Sequence, residues 1–114
     1  MAGQAVRLTN RTEIALAATT GAVSWTIAPN ADFDINWILL KFSAAPTTAE
    51  NITVTYKSHL GTAYDTIVFG DVKPMGYTSI RIPCITGMQQ GDSILVEYTN
   101  TDGNTVTGVC SYGM

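Results

Sequence analysis

Strict alternation of apolar and polar residues, repeated along most of the chain, limits the folds open to it more than any other feature. Val23-Ser24-Trp25-Thr26-Ile27 places three apolar residues against two polar ones. Ile52, Val54 and Tyr56 oppose Thr53, Thr55 and Lys57 in the same way, and Ile94, Val96 and Tyr98 oppose Leu95 and Glu97. Successive side chains of an extended strand point to opposite faces, so a period of two marks a strand with one buried and one wet side. The residue types agree. Thr, Ile and Val number 17, 10 and 8, so 35 of 114 residues are β-branched, and such side chains fit a pleated surface better than a helical turn.

Turn signals separate the alternating runs. Thr19-Thr20-Gly21, Pro29-Asn30, the Pro46 loop within Ser43–Ala49, His59-Leu60-Gly61, Asp71–Gly76, Gly87–Asp92 and the Asp102-Gly103 pair each break the pattern. Between them the spacing predicts eight strands and no helix. The longest, Ala31–Phe42, sets Phe33, Ile35 and Trp37 inward against Asp32, Asp34 and Asn36, and then turns apolar on both faces at Ile38-Leu39-Leu40. Trp25, Trp37, Tyr56 and Tyr98 share the inward phase and are expected in the core, as are Val106 and Cys110. A chain of 114 residues is one domain. The expected fold is all-β, a single-domain antiparallel β-sandwich over residues 11–114. Met1–Asn10 precedes it as an arm or a loose first strand. An eight-stranded jelly roll is the leading topology. An immunoglobulin-like or other Greek-key sandwich is the alternative, although both Trp precede both Cys, contrary to the immunoglobulin order.

Composition excludes several function classes. Charged residues are 13% of the chain and the net charge is −3, so bulk cationic attraction to nucleic acid is not expected. No apolar run approaches the ~18 residues that span a bilayer, and no membrane partner is expected. The apolar run Ile14–Ala18 behind Glu13 is too short for a secretory leader. Cys84 and Cys110 are expected to be free thiols, as befits a protein made in a cytoplasm.

No reactive constellation emerges. Asp32-x-Asp34-x-Asn36 resembles the start of a calcium loop, but the glycine and glutamate that such a loop needs further on are replaced by Trp37 and Ser43. His59 is the single histidine and reads as an exposed turn residue, with no zinc-ligand spacing and no GxSxG around any serine. Asp71, Asp92 and Asp102 border turns, where a carboxylate caps backbone amides. No catalytic residue, metal or cofactor is expected. The candidates are contact residues: Tyr77 and Tyr112 near strand ends, Arg81 on an otherwise apolar strand, and Arg7 and Arg11 in the N-terminal region. Arg and Tyr are enriched at protein interfaces.

The run from Ser43 to Thr55 (SAAPTTAENITVT) is the most distinctive stretch. With Gly61-Thr62-Ala63-Tyr64-Asp65-Thr66, Gly91-Asp92 and Tyr98-Thr99-Asn100-Thr101-Asp102-Gly103, it resembles small β-sandwich structural proteins of tailed-phage virions. Within that group the chain is similar to jelly-roll head decoration, or cement, proteins. The resemblance implies a non-enzymatic virion protein on the capsid exterior, made in the host cytoplasm and bound to the major capsid protein and to itself as a dimer or trimer. A tail or receptor-binding module that holds a glycan, and a head–tail connector, are the alternatives. The chain lacks the long Pro/Gly-rich arm of some decoration proteins, and Met1–Asn10 stands in its place.

Overall fold

The computed structural model of the chain describes residues 11–114, apart from the side chains of Asp71 and Val72. The expected arm and Arg7 lie outside the described residues. Nine strands follow in order: β1 Arg11–Thr19, β2 Val23–Ile27, β3 Phe33–Phe42, β4 Ile52–Lys57, β5 Thr66–Val72, β6 Ser79–Ile82, β7 Ile85–Met88, β8 Ser93–Tyr98 and β9 Val106–Gly113. A single 3-10 turn, Thr62–Tyr64, precedes β5. The turn signals, with a connection over Gly87–Asp92, predict eight strands, and the described residues hold nine. Instead β6 and β7 lie end to end along β3, against Ile38–Lys41 and Phe33–Ile35 respectively. Pro83, which has no N–H to give the ladder, falls in the break between them.

The strands form two antiparallel sheets packed as a sandwich. Sheet A has the order β1-β9-β3-β6, with β7 also on β3, and sheet B has the order β2-β8-β4-β5. The pairings β1·β9, β2·β8, β3·β6 and β4·β5 nest inside one another, so the chain pairs like one long hairpin rolled across two layers. Apolar residues at alternate positions fill the space between the sheets: Val23, Trp25 and Ile27 from β2, Ile52 and Val54 from β4, Ile94, Val96 and Tyr98 from β8. Val106 and Cys110 of β9 are fully buried, and both cysteines are free.

One inward assignment is corrected. Trp37 does not point into the core. On β9, Tyr112 and Ser111 are consecutive, yet their partners on β3 are Ile35 and Trp37, so Asn36 is an extra residue, a β-bulge that resets the alternation. Beyond it Ile38 and Leu40 are buried, while Trp37 and Leu39 face outward and are only half-covered. The apolar second face at Ile38-Leu39-Leu40 has no layer of described residues over it, since the described strands form two sheets.

The sheets are also joined by a polar link. The indole Nε1 of Trp25 on β2 donates to the carbonyl of Ala17 on β1 at 2.9 Å. Its ring lies so close to β9 that a Cβ at Gly108 would sit 2.8 Å from two ring carbons, which explains a glycine in the middle of a strand.

Hydrogen bonds tie the loops together at both ends of the sandwich. At one end Asp102 accepts from the backbone N–H of Thr47 at 2.6 Å and of Thr48 at 3.3 Å, and from both threonine hydroxyls. Glu50 accepts from the amide and hydroxyl of Thr101, Asn100 donates to the carbonyls of Gly21 and Asn104, and Gly76 N–H reaches the Pro46 carbonyl. At the other end Asp32 accepts from Gln90 N–H, Asp34 from Gly87 N–H, and Asp92 binds the His59 region. Asp92 and Asp102 therefore cap amides, as their placement in the sequence suggested, whereas Asp71 falls within β5 and its side chain lies outside the described residues. Asp32, just before β3, and Asp34 on it stay on the wet side.

Candidate functional site

Register places one row of side chains across the whole outward face of sheet A: Ala15 on β1, Val109 on β9, Leu39 on β3 and Arg81 on β6. Directly opposite residues of antiparallel strands share a face, so these four line up side by side. In the next row stand Glu13, Ser111 and Trp37. The Arg81 guanidinium carbon lies 5.6 Å from the centre of the Trp37 ring, within cation–π reach. Leu39, Val109 and Trp37 are half-buried, and Arg81 is exposed. The face is thus apolar along its middle and edged by charge: Arg11, Glu13 and Lys41 lie on it as well. Arg11 and Glu13 are 3.7 Å apart.

The contact residues read from the sequence are distributed as follows. Arg81 and Arg11 share this face but stand on opposite edge strands. Tyr77 is exposed in the β5–β6 loop, on no strand. Tyr112 is half-buried and meets Phe33 edge-on, with ring centres 6.4 Å apart, so its ring belongs mainly to the core. The sequence reading missed Trp37, Leu39 and Val109 as surface residues. Only the doubled apolar pattern at Ile38-Leu39-Leu40 hinted that β3 carries an apolar outer side.

A second polar centre was also missed. Asp92 is fully buried at the start of the β8 ladder. Its Oδ2 accepts from the Tyr56 hydroxyl at 2.9 Å and from Gln89 N–H at 2.8 Å, and its Oδ1 accepts from His59 N–H at 2.8 Å. His59 Nδ1 lies 2.6 Å from the same Oδ1. Burial on its own would raise this carboxyl, but the hydrogen bonds from the His59 amide and ring, Gln89 and Tyr56 outweigh it and hold the group well below the ordinary carboxylate range. With the carboxylate ionised, Nδ1 carries the shared proton. His59 is thus an exposed turn residue, as expected, and its amide and ring also partner a buried anion. An imidazole–carboxylate pair is the supporting half of a nucleophilic triad. No hydrogen bond links the His59 ring to a serine or cysteine among the described residues. The four donors around Asp92 leave its role as a fastening of loops.

Elsewhere Asp65 is held below its usual range by the Ser58 amide, with Lys57 at 3.1 Å adding to the effect. Among the described residues no group of three His, Cys, Asp or Glu side chains could hold a metal ion. No described helix is long and apolar enough to cross a membrane.

Compared with known proteins, the chain matches no family model and no curated protein.

Proposed function

We propose that the chain is a non-enzymatic structural protein of a tailed-phage virion, most specifically a head decoration (cement) protein. In this reading it binds the outside of the major capsid protein lattice and stabilises the shell. The observation that carries the reading is the outward face of sheet A, where the row Ala15–Val109–Leu39–Arg81 and the Arg81–Trp37 stack offer an apolar strip on a rigid support. A protein that works by shape needs such a face and loops that do not move. The ties at both ends of the sandwich supply the second requirement.

The order β1-β9-β3-β6 over β2-β8-β4-β5 supports the jelly-roll version of the sandwich over the immunoglobulin-like one. Aromatic and Arg side chains beside an apolar strip are common anchors of a protein interface. Repetition multiplies a modest contact: linked copies rebind at high effective concentration, with gains of ~10²–10⁴.

The test is co-sedimentation of the purified protein with capsids of the phage or prophage that encodes it, prepared without this chain. Saturable binding that Leu39→Asp abolishes and Arg81→Ala weakens is the expected result. Absence of binding by the folded wild-type protein overturns the reading. Capsid indifference combined with saturable glycan binding that depends on Tyr77 moves the protein to a tail module.

A further inference from the structure

We infer that the β5 edge of sheet B is a homotypic contact at which a second copy of this chain docks about a two-fold axis. The inference deepens the structural-protein reading, on which it rests, by naming the surface through which copies join.

The four sheet edges differ in protection. An edge strand exposes unpaired N–H and C=O groups, and proteins normally blunt it with charge, proline or polar side chains. On the edge strand β1, Arg11 and Glu13 point outward, and β6 carries Arg81 and ends at Pro83. Edge β2 buries Val23, Trp25 and Ile27 and shows only Ser24 and Thr26 to water. Edge β5 has less of this protection, its one charged residue, Asp71, standing next to the strand's end. From Thr66 to Gly70 it contains neither charge nor proline, and Ile67 and Val68 are 63% and 44% exposed.

Two neighbours on a strand should not both face away from the core. They do so here because the ladder slips: Val54 pairs with Phe69 but Thr55 pairs with Ile67, which leaves Val68 as an extra residue. The bulge turns two β-branched side chains outward together. Tyr64 and Leu60, in the connection that leads into the strand, are also exposed, at 60% and 66%. An apolar run of this kind, uncovered by any described element, fits an interface better than a solvated edge.

Charge favours an identical partner. Of the charged residues flanking the run, Lys57 and Asp65 on one side form a pair 3.1 Å apart, and Asp71 and Lys73 on the other are opposite in sign. The charges balance within one copy, so two copies of the surface meet without like-charge repulsion. An antiparallel edge facing its own copy is also two-fold by construction, with each side chain meeting its equivalents. A contact along a single edge strand should bury less than the ~800 Å² per partner of a standard interface. The contact is therefore concentration-dependent.

Sedimentation equilibrium over a wide concentration range tests this without any capsid, so its failure is separate from failure of the decoration reading. The wild-type mass is expected to rise from 12.2 kDa toward twice that value. Ile67→Asp combined with Val68→Asp should stay monomeric at every concentration. Should that variant misfold by circular dichroism, Ile67→Thr with Val68→Thr keeps the β-branching and should raise the dimer dissociation constant at least ~10-fold. Thr26→Asp, on the opposite edge of the same sheet, should dimerise like the wild type. A wild type that remains monomeric, dimers that survive both β5 variants unchanged, or equal loss with Thr26→Asp would each overturn the inference.

Discussion

Asp92 grips His59 at two points, the backbone amide at 2.8 Å and the ring Nδ1 at 2.6 Å, and so fastens the β7–β8 turn to the β4–β5 connection. Asn at position 92 offers one acceptor oxygen in place of two and turns an NH₂ toward groups that themselves donate. Hydrogen bonds to a buried charged group contribute ~1.5–3 kcal/mol each. Asp92→Asn should therefore lower unfolding stability by about 3 kcal/mol in urea titrations. A midpoint that stays put would show that the carboxylate is not a fastening.

The same group sets an acid limit. Its folded-state pKa lies below the value of ~3.9 for an unfolded Asp, so the unfolded chain takes up the proton first as pH falls. The contribution is fully present above about pH 5 and is lost as pH falls through and below about pH 4. Asp102, lowered chiefly by the Thr48 hydroxyl and the Thr47 amide, shifts in the same direction. Thermal unfolding followed by circular dichroism should show a steep decline below about pH 4 in the wild type and a shallower one in Asp92→Asn. Parallel curves would rule out this linkage.

Gly108 faces a ring that has nowhere to go. A Cβ there would meet Trp25 at 2.8 Å and Leu16 at 3.1 Å, and the indole is held by its bond to Ala17. Gly108→Ala should cost ~1–3 kcal/mol, the usual range for overpacking. Adding Trp25→Phe, which shortens the ring, should make the alanine less harmful than it is beside Trp25. Urea unfolding of the four-member mutant cycle measures that coupling, and strict additivity would refute the clash.

The two cysteines should separate cleanly by reactivity. Cys84 is exposed, whereas Cys110 is buried and its thiol pKa is pushed up to about 12 by desolvation. A thiol reagent at neutral pH should label one residue in the native protein and both in denaturant, since the thiolate is the reacting form. Mass spectrometry of peptides identifies the site. Native labelling at Cys110 would contradict its burial.

Most of the sandwich was legible because burial follows a simple period. Val23, Trp25 and Ile27, Ile52 and Val54, and Ile94, Val96 and Tyr98 lie on the side that counting by twos assigned them. Trp37 failed the count because a bulge adds one residue opposite β9, and a bulge depends on the partner strand rather than on the sequence around Asn36. Strand β7 was hidden because Gly87 and its neighbours look like a turn, yet β3 is long enough to pair with a second short strand after Pro83. Asp92 reads as one more turn carboxylate, and its four donors come from positions 56, 59 and 89, brought together only by the fold. The outward face of sheet A was invisible for the same reason, since it joins single residues from four strands.

The carboxylates that hold the loops, Asp92 and Asp102, draw their donors from amides, hydroxyls and one imidazole, with no lysine or arginine among them. Mobile ions screen exposed charge pairs but have less hold on short hydrogen bonds, least of all on those of the buried Asp92. Fresh water and brine should thus find the same loop fastenings, and under the proposed decoration role a shell clad in this protein would carry that indifference to salinity wherever the particle drifts.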